Sequence, residues 1–222
     1  MSDLSKIVVA IDGPAGAGKS TVSKLLAHDL GLRYLDTGAM YRALALKVFH
    51  HGIGPKDEEK ISELMQSTDI SFGVGEPQPV YLDGKDVTTK IRSLEIGELA
   101  SAISTHPSVR EALVILQREM VESGGVILEG RDATTVIAPN ADLKIYLTAS
   151  LEERASRRSL ELVNKGMASE FENVRSQITV RDHRDITRQD SPLKVAEDAH
   201  VIESAGFTPQ QVADRIRALI PS

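Results

Sequence analysis

The sequence predicts an α/β fold, in which a parallel sheet is covered by helices on both faces. Short apolar runs rich in β-branched residues, typical of strands buried on both faces, occupy residues 7–11, 126–128 and 143–147. A weaker run lies at 201–202. Segments with helical character fill most of the intervals, and this alternation of strands and helices favours the parallel arrangement.

The composition limits the class of protein. The chain has 222 residues, of which 41% are hydrophobic and 26% charged, as expected of one globular domain. A net charge of −6 argues against a nucleic-acid or membrane partner, and the lack of cysteine excludes disulfides and thiolate chemistry. The apolar run at 7–11 is shorter than a secretory core of roughly 7–15 residues, so we expect a cytoplasmic protein.

The order of the first elements is typical of a nucleotide-binding core. A glycine-rich turn follows the first strand, and the next helix extends to about Leu30, where Gly31 ends it. Residues 33–36 are predicted to form a second strand and residues 39–51 a second helix.

Residues 69–89 interrupt this pattern. Two short strand-like runs at 70–72 and 80–82 precede the turn pair Asp83-Gly84, which predicts a small antiparallel sheet. Helices are then predicted at about 92–104 and 107–123. These segments indicate a subdomain inserted into the α/β core.

The turn after the first strand matches the phosphate-binding motif G-x-x-x-x-G-K-[ST] between a strand and a helix. Backbone N–H groups in such a loop surround a phosphate, and the lysine reaches the β- and γ-phosphates. The sequence therefore predicts an ATP site of the P-loop type. Its residues are Gly13, Pro14, Ala15, Gly16, Ala17, Gly18, Lys19, Ser20 and Thr21.

A magnesium site is expected beside this loop. The Ser20 hydroxyl is the predicted ligand, and Asp12 and Glu129 are candidates that act through water. Either carboxylate could instead cap the loop that follows its strand, and both interpretations stay open.

Two further motifs indicate an acceptor that carries a phosphate. Thr37 and Arg42, at the start of the second helix, can face one anion, although a capped helix with a surface arginine has the same pattern. Arg131 and Asp132 follow a core strand at the edge where open α/β sheets bind ligands. Arg131 can bridge two phosphates, and Asp132 can accept a hydrogen bond from an exocyclic amine such as cytosine N4.

An arginine-rich helix pair is predicted as a lid. The first helix, about 151–165, carries arginines at positions 154, 157 and 158, and the second begins near Ser169 and contains RDHRDITR at 181–188. On a helix, Arg181, Asp185 and Arg188 form one stripe, which we interpret as a substrate clamp. Asp182 and Arg184 are expected to be self-paired surface charges.

With these motifs the sequence resembles the bacterial cytidylate kinases (CMP kinases) of the nucleoside monophosphate kinase family. The similarity covers essentially the whole chain. It depends on IDGPAGAGKST, LDTGAMYRALAL, VREAL, EGRD, ADLKI, ASLEERASRR and RDHRDITRQDSPLKVAEDA. It implies one kinase domain, with a core at 1–60, 105–150 and 190–222, an acceptor-binding insertion at about 61–104 and a lid at about 151–189.

The resemblance implies transfer of phosphate from ATP, with Mg²⁺, to CMP or dCMP by a monomer. In the implied roles, Ser101, Arg110 and Asp132 read the cytosine, and Arg181 and Asp185 hold the ribose. Thr37, Arg42, Arg131 and Arg188 bind the acceptor phosphate, with Tyr41 packed nearby. Lys19, Arg131, Arg157 and Arg158 neutralise the transferring group. Apart from Ser101, these residues all lie in the motifs that carry the resemblance.

One departure bears on acceptor selectivity. Thr134 stands where the family usually has a glycine, directly beside Asp132, while Glu203 in place of the family's aspartate is a smaller change. A kinase for both UMP and CMP, another small-metabolite kinase and a regulatory module that binds ATP are the alternatives. The GTPase motif N-K-x-D does not occur, since Asn164-Lys165 continues with Gly166-Met167.

Overall fold

The computed structural model describes residues 4–164 and 166–221. The chain divides into two compact units. The first consists of Met1–Leu35 with Arg118–Ser222, and the second is the continuous segment Asp36–Gln117.

The regular elements follow in chain order. The strands are β1 (Val8–Asp12), β2 (Arg33–Asp36), β3 (Ile70–Phe72), β4 (Val80–Leu82), β5 (Lys85–Asp86), β6 (Val126–Gly130), β7 (Leu143–Thr148) and β8 (His200–Glu203). The α-helices are α1 (Lys19–Leu30), α2 (Thr37–His50), α3 (Glu58–Gln66), α4 (Leu94–Ile103), α5 (Pro107–Glu122), α6 (Leu151–Asn164), α7 (Phe171–Thr187) and α8 (Pro209–Arg217). A π-helical turn spans Ala133–Ile137.

The main sheet confirms the predicted parallel arrangement. Its strand order is β2-β6-β1-β7-β8, and β1 pairs in parallel with both β6 and β7. In this register Asp12 lies opposite Gly130 on one side and Tyr146 on the other. The loops after β1 and β6 therefore leave the sheet at the same edge, which is where open parallel sheets bind ligands.

The core of the first unit explains why these strands are so apolar. Helices α1 and α8 pack on the sheet through Val22, Leu26 and Ile216, against strand residues such as Ile11 and Ile145. All five side chains are 0–2% exposed. Burial of one such side chain contributes about 1.5–3 kcal/mol, so this face fixes β1 and α1 on either side of the phosphate loop.

The second unit contains the predicted small antiparallel sheet. Strands β3, β4 and β5 are neighbours in that order, and Ile70 pairs with Leu82. Asp83 and Gly84 connect β4 to β5 with positive φ angles of 49° and 74°, the geometry of a tight hairpin turn. The predicted turn pair is confirmed.

Element boundaries differ slightly from the predictions. Helix α2 begins at Thr37 rather than at 39, because the Asp36 side chain accepts a hydrogen bond from the Ala39 N–H and caps the helix. Helix α6 ends at Asn164, and Lys165, the predicted last residue, lies outside the described residues. None of the helices in the described part of the chain has the length and apolar character needed to cross a membrane.

Candidate active site

The phosphate loop connects β1 to α1, as predicted, and its glycines are required by close approaches. A Cβ on Gly13, whose φ is 151°, would lie 1.9 Å from the carbonyl oxygen of Leu147. Gly18 precedes α1 with a φ of 92°, and no side chain caps the helix. The amino end of α1 and the loop backbone can therefore approach an anion closely.

Lys19 is buried at the start of α1. Its Nζ donates hydrogen bonds to the carbonyl oxygens of Gly13 and Pro14 over 2.8 and 2.9 Å. Burial, together with the positive charges of Arg131 and Arg181, lowers the pKa of Lys19 to about 7. The positive charges of Lys19, Arg131 and Arg181 thus lie close enough to repel one another.

Asp12 and Glu129 have different surroundings. Asp12 is fully buried, and its two carboxylate oxygens accept hydrogen bonds from the N–H groups of Ala133 and Thr134 and from the Thr134 hydroxyl. This geometry supports the loop-capping interpretation of Asp12. Burial is also the main reason why the pKa of Asp12 is raised above its ordinary value.

Glu129 remains close to the phosphate loop. Its negative charge offsets part of the lowering of the Lys19 pKa, so the two side chains interact electrostatically. Tyr34 on β2 donates a hydrogen bond of 2.5 Å to Glu129 Oε1 and fixes the position of the carboxylate. No group of three or more histidine, aspartate or glutamate side chains among residues 4–164 and 166–221 could hold a metal ion by itself.

An ion-pair cluster lies at the carboxyl end of β6. Arg131 Nε donates to Asp185 Oδ2 over 2.7 Å, and Asp185 Oδ1 lies 3.7 Å from Arg188 Nη1. Arg188 Nη2 is in turn 3.8 Å from Asp132 Oδ1. The structure thus brings together four residues that the sequence had placed in two separate motifs.

The charges in this cluster support one another. Burial disfavours the charged form of Arg131 most strongly, but the carboxylates of Asp185, Asp182 and Glu129 together outweigh it, and the pKa of Arg131 is raised. The pKa of Asp185 is lowered despite its burial because Arg131, Arg181 and Arg188 surround it. Arg188 follows the last residue of α7 instead of lying on it, so the helix ends one residue before the last member of the predicted stripe.

In the second unit, two of the three predicted base-reading residues, Ser101 and Arg110, are linked through Ser104. The Arg110 guanidinium from α5 lies 5.5 Å from the centroid of the Tyr41 ring on α2. Arg110 Nη1 also donates to the carbonyl oxygen of Ser104, whose hydroxyl donates to the carbonyl oxygen of Ser101 on α4. Thr37, the first residue of α2, is buried as well.

Arg42 is positioned by a glycine that the sequence analysis did not single out. Its guanidinium donates to the Ile91 carbonyl oxygen over 3.3 Å. A Cβ on Gly97 of α4 would lie 2.7 Å from Arg42 Nη1. A side chain at position 97 would therefore require the Arg42 guanidinium to move.

The two lid arginines differ in their environment. Arg157 donates to the hydroxyl and the carbonyl oxygen of Ser204 over 2.8 and 2.9 Å, and Ser204 donates to the Ala17 carbonyl of the phosphate loop. Arg158 pairs with Glu161 on the helix surface. Ser204 carried no recognisable sequence signal.

The prediction that Asp182 is a surface charge was wrong. Asp182 is 8% exposed and accepts a hydrogen bond from the N–H of Ala15 in the phosphate loop. It also pairs with Arg154 over 2.5 Å. Asp182 lies three positions from Asp185, and the two carboxylates pair with different arginines, Arg154 and Arg131.

Comparison with known proteins decides the family. The cytidylate kinase family model matches residues 9–222. This chain belongs to the cytidylate kinase family. A cytidylate kinase of Caldicellulosiruptor bescii is 51% identical over 97% of this chain and 96% of its own length. One from Pediococcus pentosaceus is 45% identical over the same shares.

Solved structures support the fold. An uncharacterized protein from Eubacterium ventriosum shares the fold with a TM-score of 0.52 at 13% identity, over 97% of this chain and 98% of that one. As a member of the cytidylate kinase family, the chain is a phosphotransferase, and the parallel sheet with its phosphate loop agrees with that assignment. The resemblance inferred from the motifs is confirmed.

Proposed function

We propose that the protein transfers the γ-phosphoryl group of ATP to CMP, and also to dCMP, and releases ADP and the corresponding diphosphate. The observation that carries this proposal is the convergence of Lys19, Arg131 and Arg181, where burial and the charges of the two arginines lower the pKa of Lys19. Such an arrangement is unfavourable by itself, but a polyphosphate between the cations would neutralise it.

The donor half of the proposal depends on the phosphate loop. The backbone of residues 13–18 and the amino end of α1 bind the phosphates of ATP, and Lys19 turns from its two loop carbonyls to the β- and γ-phosphates. Ser20 and, through water, Glu129 are the residues that fit Mg²⁺, because both oxygens of Asp12 are already used. When bound, Mg²⁺ neutralises charge on the phosphates.

The acceptor half of the proposal depends on the residues predicted to bind the acceptor and on the family resemblance. Arg131 and Arg188 bind the CMP phosphate together with Thr37 and Arg42, and Asp185 with Arg181 holds the ribose hydroxyls. Asp132 accepts a hydrogen bond from cytosine N4, with Ser101 and Arg110 as further base contacts. Uracil has an oxygen in place of N4 and would leave Asp132 opposed to an acceptor, which selects against UMP.

The chemical step requires no general base, because the nucleophile is an anionic phosphate oxygen of CMP. Lys19 and Arg131 stabilise the charge that accumulates on the transferring group, and the lid arginines Arg157 and Arg158 add to the positive field. Alignment of donor and acceptor and exclusion of water supply the remaining acceleration.

A coupled assay of ADP release tests the proposal. ATP would be supplied with CMP, dCMP, UMP, AMP, GMP or shikimate, with and without Mg²⁺. We expect turnover with CMP and dCMP that needs Mg²⁺ and exceeds turnover with UMP. Equal rates with UMP would indicate a kinase for both pyrimidines, and turnover only with shikimate would indicate a small-metabolite kinase. ATP binding without ADP release from any acceptor would indicate a regulatory module.

A further inference from the structure

One residue of the phosphate loop is held entirely by the two lid helices. The N–H of Ala15 donates to Asp182 Oδ1 on α7 over 3.1 Å. The carbonyl oxygen of Ala15 accepts from Arg154 Nη1 on α6 over 3.0 Å. Both polar backbone groups of Ala15 are therefore used by the lid helices.

The two side chains that hold Ala15 are also paired with each other. Arg154 Nη1 lies 2.5 Å from Asp182 Oδ2, and the side chains are 10% and 12% exposed. Arg154 Nε donates in addition to the Ala149 carbonyl, which anchors the guanidinium to the start of α6. Removal of one member would leave the other charge buried without its partner, which is costly.

Apolar packing reinforces this contact. The Ala15 side chain belongs to a buried cluster with Ala155, Leu162, Val174 and Ile178, all of them on α6 or α7. The neighbouring Gly16 passes so close to α6 that a Cβ would lie 3.1 Å from both Arg154 Cβ and its carbonyl oxygen. Apolar contacts thus pack the phosphate loop against both lid helices.

We propose that Arg154 and Asp182 are positioning residues for the triphosphate, which act through the Ala15 peptide without touching the nucleotide. The pair fixes the loop so that the N–H groups of the following residues point toward the phosphates. The catalytic readout of this inference rests on the proposed function.

The test compares Asp182→Asn and Asp182→Ala with the wild-type protein. We expect the Kd and KM for ATP to rise about tenfold or more in Asp182→Ala and less in Asp182→Asn, which keeps an acceptor for the Ala15 N–H. The KM for CMP should stay within about twofold, because the acceptor contacts are unaltered. By NMR, hydrogen exchange of the Ala15 amide should accelerate, a result that a general loss of stability would not confine to this amide.

Glu152→Gln is the matched control. Glu152 on α6 also pairs with an α7 residue, Arg175, at 3.7 Å, but on the surface. It is expected to leave ATP affinity and Ala15 exchange unchanged. If Asp182→Ala does not fold, the double variant R154M/D182L removes both charges together and avoids an unpaired buried ion, with the same expected loss of ATP affinity.

The proposal is overturned if a folded Asp182→Ala or R154M/D182L variant binds ATP within twofold of wild type with an unaltered Ala15 exchange rate. Direct ATP binding separates this inference from the proposed function. A wild-type protein that binds ATP but phosphorylates no nucleotide would overturn the proposed function alone, whereas a wild type that does not bind ATP would overturn both.

Discussion

The Thr134 hydroxyl donates a hydrogen bond of 2.6 Å to Asp12 Oδ2, and this bond ties the π-helical turn after β6 to the end of β1. Thr134 is 1% exposed, so its side chain is directed into the protein. The residue that departs from the family's usual glycine therefore supports the loop that carries Asp132.

The variant Thr134→Val tests this support. It keeps the shape of the side chain but leaves a buried Asp12 oxygen with one donor fewer, which costs about 1–3 kcal/mol. We expect the Tm to fall by about 2–4 °C per kcal/mol and the KM for CMP to rise. Thr134→Ser, which keeps the hydroxyl, should show a smaller fall in Tm and a smaller rise in the KM for CMP. Scanning calorimetry and steady-state kinetics measure both, and equal Tm values for the valine variant and wild type would contradict the expectation.

Gly97→Ala should separate acceptor binding from stability. An added methyl group would lie 2.7 Å from Arg42 Nη1 and displace the guanidinium. Alanine favours a helix by up to about 1 kcal/mol over glycine, so the Tm should be maintained or raised. The KM for CMP is expected to rise about tenfold, with the KM for ATP unchanged. Glu98→Ala on the same helix is the exposed control, and an unaffected KM for CMP in Gly97→Ala would argue against the role of Arg42.

Nucleotide binding should take up a proton above neutral pH. The pKa of Lys19 is about 7 in the folded protein and 10.5 in its ordinary state, whereas bound phosphates favour the charged ammonium. Calorimetric titration with ATP at pH 8 in two buffers of different ionisation enthalpy should show uptake of up to about one proton. Lys19→Arg, which stays protonated, should show none, and a wild-type heat that does not depend on the buffer would exclude this assignment.

The pKa of Lys19 also determines whether the free energy of unfolding rises or falls with pH. Between pH 7 and 10.5 the unfolded chain binds more protons at Lys19 than the folded protein does. The contribution of this group to the free energy of unfolding therefore rises with pH across that window in the absence of nucleotide. Denaturant titrations of wild type and Lys19→Met at pH 7 and 9 measure this contribution.

Arg131→Met should reduce turnover much more than stability. We expect kcat to fall by about 10²–10³-fold, the usual effect of removing one charge-stabilising donor. The Tm should change by only a few degrees, because Arg181 and Arg188 continue to lower the pKa of Asp185. Arg217→Ala, which removes a surface pair with Asp29, is the control. Near-normal turnover in folded Arg131→Met would exclude the proposed role.

The strands, the phosphate loop and the hairpin at Asp83-Gly84 were predictable because their signals are local. A buried parallel strand needs a continuous apolar run, and a phosphate loop needs glycines at fixed spacing before a helix. The prediction that Arg131 and Asp132 belong to the ligand site has a similar basis, since the end of a parallel strand marks the ligand edge of the sheet.

Contacts between distant segments were not predictable in this way. Helical spacing assigned Asp182 to solvent, but α6 and the phosphate loop cover that side of α7 and bury it. Gly97 and Ser204 had no motif, because one supplies empty space and the other links the Arg157 guanidinium to the Ala17 carbonyl of the phosphate loop. Such roles depend on which backbone lies opposite, and a single sequence does not specify that directly.

The strand order of the main sheet has a consequence for synthesis of the chain. β1 is made first, yet both of its neighbours, β6 and β7, come from the second half of the sequence. The continuous segment Asp36–Gln117 needs no such distant partners for its own antiparallel sheet. Because non-local pairing is slow, we expect this middle segment to become ordered on the ribosome first. The phosphate loop after β1 can become ordered only once β6 and β7 have been synthesised.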